Sequence, residues 1–137
     1  MAALSAPRST PQKLEPITRS VPLLANAKVY QGGMVQIAAS GFAVAAVATA
    51  ANVTIGVAQA TVDNAGGANG AASVEVRRGV YRFANSASGD LIARSEIGKT
   101  VYVIDDQTVA KTDNSAARPA AGICYDVDAQ GVWVEFK

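Results

Sequence analysis

From Ala27 to Lys137 the chain is cut into short apolar runs by Gly, Asn and Asp, and few stretches are long enough for an ordinary packed helix. The runs read as strands. Ala27 to Tyr30 and Met34 to Ala38 flank Gln31-Gly32-Gly33, a turn. Thr54 to Val62 is a further strand, ending at Asp63-Asn64 and the loop Ala65-Gly66-Gly67-Ala68-Asn69-Gly70. Ser73 to Phe83 is the strongest run. Within it Val74 and Val76 share one face, while Tyr81 and Phe83 take the opposite parity after Arg78-Gly79, which predicts a β-bulge. Lys99 to Ile104 and Thr108 to Lys111 form a hairpin across Asp105-Asp106-Gln107. Ala121 to Val127 and Val132 to Phe136 form another across Asp128 to Gly131. One helical turn is expected around Ser88 to Ile97, and Ala43 to Ala51 is open between strand, loop and short helix. The fold class expected is all-β: a small antiparallel β-sandwich or barrel with an extended N-terminal arm.

The arm is marked by proline. Pro7, Pro11, Pro16 and Pro22 are four of the five prolines, and each removes a backbone donor and fixes φ, so residues 1–26 form neither helix nor central strand. The expected division is an arm over 1–26 and a β-rich domain over 27–137. The arm carries Arg8, Lys13 and Arg19 against Glu15, net +2, which leaves the remainder at net −1. Its Leu14, Ile17, Val21, Leu23 and Leu24 are more apolar than a solvating linker requires. Ordering such a segment costs on the order of 1 kcal/mol per residue, which calls for roughly 1,000 Å² of apolar burial. That area suits a groove across large protein subunits, although composition alone also fits a disordered leader.

Half of the 137 residues are hydrophobic, but Ala and Val dominate, with one Trp, three Phe and four Tyr. A core of small side chains is thin, and oligomerisation is a direct way to add buried area. The net charge of +1, with no basic cluster longer than Arg77-Arg78, argues against a nucleic acid partner. No apolar core suited to a secretory signal precedes Ser20, and Gly41 to Val62 is too weakly hydrophobic for a bilayer, so neither export nor a membrane partner is expected.

The chemical inventory is sparse. The chain has no histidine, which removes the commonest general base and zinc ligand. Cys124, the single cysteine, reads as a buried small apolar residue. Gly66-Gly67-x-x-Gly70 lacks the Lys and the following helix of a phosphate loop. Asp126-x-Asp128 would need its closing Glu where the chain has Lys137, and Asp105 and Asp106 are adjacent turn residues. No catalytic, cofactor-binding or metal-binding residue is assigned, and no cofactor and no enzyme activity are expected. Arg77, Arg78, Tyr81, Arg82 and Trp133 are instead candidate protomer or partner contacts, since Arg, Tyr and Trp are enriched at protein interfaces.

The segments Tyr30 to Ala38, Thr54-Ile-Gly-Val-Ala, Thr61-Val-Asp-Asn, Val74-Glu-Val-Arg-Arg-Gly-Val-Tyr-Arg-Phe, Val101-Tyr-Val-Ile-Asp-Asp and Gly122 to Trp133 together resemble the capsid decoration, or head cement, proteins of tailed phages, including those of Pseudomonas and Mu-like phages. The resemblance spans about residues 27 to 137. It implies a virion protein, made in the host cytoplasm, that joins the outer surface of an assembled capsid, commonly as a homotrimer, and clamps neighbouring major capsid protein subunits. Under that implication Arg8, Lys13, Leu14, Ile17, Arg19 and Val21 form the capsid-binding arm. A tail or baseplate structural protein and a carbohydrate-binding surface module, using Trp133, Tyr81 and Tyr125, are the alternatives.

Overall fold

The computed structural model describes residues 2–13 and 17–137. Twelve strands follow in chain order among them: β1 (Thr18–Pro22), β2 (Lys28–Val29), β3 (Met34–Ile37), β4 (Ala43–Ala45), β5 (Val53–Ala58), β6 (Val62–Asp63), β7 (Ser73–Arg77), β8 (Gly79–Asn85), β9 (Thr100–Val103), β10 (Thr108–Ala110), β11 (Ala120–Asp128) and β12 (Gly131–Phe136). They form a five-stranded sheet ordered β1-β7-β5-β3-β4, a closed barrel ordered β10-β8-β12-β11-β9, and the small pair β2-β6. Pairing is antiparallel throughout the named strands except between β8 and β10. The protein is therefore all-β, with a barrel and an accompanying sheet.

Each half has its own core. Val21, Leu23, Val29, Val35, Ala43, Ala58, Val74 and Val76 pack under the sheet. Phe83, Ile92, Val101, Val103, Val109, Val132, Val134 and Phe136 fill the barrel with Cys124. Strands β3 and β5 serve both, because successive side chains on a strand point to opposite faces: Met34 and Val57 enter the barrel core, and Val35 and Ala58 the sheet core. These shared strands weld the halves into one body.

The hairpins β9-β10 and β11-β12 form at the turns expected from the sequence. Two expectations change. The parity shift at Arg78-Gly79 is not a bulge within one strand: β7 belongs to the sheet and β8 to the barrel, and Gly79, at φ 143°, is the point of passage. Gln31-Gly32-Gly33 turns as expected, with Gly33 N–H donating to Tyr30 O at 3.0 Å, and β2 pairs with β6. The run Thr54 to Val62 divides into β5 and β6 at Gln59-Ala60-Thr61. The segment Ser88 to Ile97 forms two 3-10 turns, Ser88–Asp90 and Arg94–Glu96, and Ala43–Ala45 resolves as strand.

The compositional break near residue 26 is not where the folded body begins. β1 pairs with β7 over its whole length and lies at the sheet's outer edge, where Pro22 costs no ladder bond between neighbours. Beyond it Leu23 bridges to Ala43 in β4, and the N–H of Leu24 donates to Ala43 O at 2.9 Å. The chain thereby ties one edge of the sheet to the other.

Candidate partner-binding surfaces

Two surfaces collect the residues expected to meet a partner. The first is the corner where the arm enters the body. Residues 2–13 are exposed throughout, Leu4 to 74 %, and Ile17 is 43 % exposed. Thr18 pairs with Arg77 and Arg19 with Val76, and the N–H of Arg78 donates to Ile17 O at 2.7 Å, so Arg19, Arg77 and Arg78 stand near the arm's root. Lys13 joins Thr18, Arg19, Ser20 and Val21 around an open crevice of about 620 Å³. Among the described residues Arg8, Lys13, Arg19, Arg77 and Arg78 take part in no ion pair, and the buried Nε of Arg78 has no hydrogen-bond partner. An unpaired cation near a surface attracts carboxylates of a partner and sets the register of docking.

Val21 borders the crevice, but its side chain is turned into the body and offers no exposed contact there. It is 7 % exposed and packs in the sheet core, because it pairs with Val74 on the inward face of β1. Its expected role as a capsid contact is corrected to a core role. Leu14 lies outside the described residues.

The second surface is the outside of the barrel. On β8 the side chains of Val80, Arg82 and Ala84 point outward, and Tyr81 and Phe83 inward. Tyr81 is half-buried and packs at 6.3 Å from the Phe136 ring, on the face of β8 opposite Arg82, so it is not part of this shelf. Register places Trp133 between Arg82 on β8 and Asp126 on β11. The Arg82 guanidinium lies 5.7 Å from the Trp133 ring centre. A register shift between Cys124 and Asp126 turns Tyr125 outward, 61 % exposed. Val80, Tyr125, Asp126 and Trp133 line a shallow pocket of about 320 Å³.

Asp128 holds this shelf in place. Its carboxylate accepts hydrogen bonds from the backbone N–H of Gln130 and Gly131 at 2.8 and 3.1 Å and from the Trp133 indole at 2.9 Å. The Trp133 bond, then the Gln130 bond, keeps the Asp128 carboxyl below its ordinary range. Sequence shows Asp128 as a turn residue, and the added role toward Trp133 follows from the hairpin closing back on itself.

The other motifs resolve as structure. The N–H groups of Gly66 and Gly67 are already taken, by Asn26 Oδ1 at 2.8 Å and Asn64 O at 2.9 Å, so that loop presents no anion cradle. Asp105 accepts from the Gln107 N–H at 2.9 Å within its turn, while burial and the neighbouring Asp105 push the Asp106 carboxyl up. Cys124 is 1 % exposed in the barrel core, as its flanks predict, and burial pushes its thiol up. Among the described residues no group of three or more His, Cys, Asp or Glu side chains is placed to hold a metal ion, and no helix is long and apolar enough to cross a membrane. No family model matches the chain, and searches of curated proteins and of solved structures give no match.

Proposed function

We propose that this is a structural virion protein that decorates the outer surface of an assembled tailed-phage capsid and stabilises it by clamping neighbouring major capsid subunits, without catalytic activity. The observation that carries the reading is the exposed arm, rooted on an edge strand beside the cations Arg19, Arg77 and Arg78, which take part in no ion pair among the described residues. A compact body fixed at one point holds one subunit; an exposed segment extending from it can cross to the next subunit or to a neighbouring copy seated there. Several arms acting together multiply weak contacts through effective concentration, which suits a lattice strained by packaged DNA. The basic corner supplies orientation, since exposed charges steer docking and fix register more than they add affinity.

The test is co-sedimentation with expanded shells stripped of this protein, followed by cryo-electron microscopy of the loaded shells. The native chain is expected on the outer shell. Replacing Arg19, Arg77 and Arg78 by Ser is expected to weaken retention about tenfold or more, with a shallower dependence on salt. Failure of the native chain to bind shells, or density confined to the tail, overturns the capsid reading and favours a tail or baseplate role.

A further inference from the structure

The exposed segment and the barrel shelf complement one another. Residues 2–13 hold Leu4, Pro7, Arg8, Pro11 and Lys13 and no acidic side chain. Pro7 and Pro11 fix φ near the polyproline II value, where the backbone makes no internal hydrogen bonds and docks readily against aromatic walls. The shelf offers such walls in Trp133 and Tyr125, with Val80 beside them. Trp133 is already locked by Asp128 and by the flanking Arg82, so seating a ligand orders little of the shelf itself.

Charge has the right sign. Asp126, Asp128 and Glu135 stand on or beside the shelf against Arg82 and Arg94, and Arg94 engages only one oxygen of Asp126, at 3.4 Å. The segment brings two cations and no anion. Among the described residues the pocket is lined by barrel residues, and every residue from 2 to 13 is exposed. In polyproline II form these residues span about 37 Å, comparable with the diameter of a body of this size.

We propose that the shelf formed by Val80, Tyr125, Asp126 and Trp133 binds the proline-flanked segment 2–13 of a second copy of this chain. The contact is head-to-tail, so a closed ring of copies satisfies every arm and every shelf. One arm alone binds weakly, because ordering its backbone consumes most of the contact energy; ring closure raises the effective concentration. The link requires no capsid and is tested in free solution, apart from the reading of function above.

Trp133 is the only tryptophan, so its emission reports the shelf directly. A synthetic peptide of residues 2–13 is added, up to about 5 mM, to the chain lacking those residues, which removes only exposed groups. The expected result is a saturable change in Trp133 emission that disappears in the Tyr125→Ser variant and weakens when the peptide carries Ser at both prolines. No response, or a response that survives Tyr125→Ser, overturns the proposal. The full chain is followed alongside by sedimentation velocity over a concentration series. Trp133 emission already matching the peptide-bound state in a monomer places the arm on its own body and overturns the exchange; assembly rising with concentration, and lost on removing residues 2–13, supports it.

Discussion

At the residue scale, two buried or anchoring polar groups decide local order. Gln36 is fully buried, yet its amide is satisfied: Nε2 donates to Val47 O at 3.1 Å and Thr54 Oγ1 at 3.3 Å, and Oε1 accepts from the Val47 N–H at 2.9 Å and Asn52 Nδ2 at 3.1 Å. This one side chain pins the loop between β4 and β5. Gln36→Leu leaves those partners unmatched and should destabilise the protein by about 1–3 kcal/mol in urea unfolding. Asp128 provides a pH test. Its native carboxyl titrates below the unfolded value, so its contribution is present above that value and is lost as pH falls through the native one. Acidification should release Trp133, with an emission change centred below the ordinary carboxylate range, and Asp128→Asn should abolish that transition. Cys124 has the opposite sign: its thiol is raised by burial, so the benefit is complete below the ordinary thiol range and is lost as pH rises through the native value. Iodoacetamide at pH 8 should label it only on unfolding.

At the element scale, the β11-β12 hairpin seals the barrel and carries the shelf. Gly131 sits at φ 152°, and a Cβ there would lie 2.2 Å from Phe83 O, so no side chain fits without parting β12 from β8. Gly131→Ala should cost on the order of 2–4 kcal/mol in thermal or urea unfolding and should redshift Trp133 emission as the indole gains water. The turn itself was legible, since Asp-x-x-Gly between alternating apolar runs predicts a hairpin. That the two runs around Arg78-Gly79 enter different sheets was not legible: a parity change with glycine is common to a bulge and to a crossing between sheets, and only long-range partners separate the two.

At the scale of the whole molecule, the body begins at β1. Trypsin under native conditions should cleave after Arg8 and Lys13 within minutes and spare Arg19, whose strand is hydrogen-bonded to β7, as peptide mass mapping would show. Removing residues 2–13 should leave the melting temperature of dilute protein within about 2 °C, because every one of those residues is exposed.

What the sequence by itself determined was local. Turn residues at short intervals set an all-β chain, alternation put Val132, Val134 and Phe136 on one face of their strand and Trp133 on the other, and proline kept the first 26 residues out of any central strand. These properties depend on φ, hydrogen-bonding capacity and side-chain period, which neighbours along the chain fix. Only the tertiary structure decided that Val21 is core while nearby Arg19 is surface, that Tyr81 turns away from Arg82, and that Asp128 anchors Trp133. Each of those outcomes rests on which strands pair and in what register, a choice settled by burial over the whole molecule rather than by any one segment.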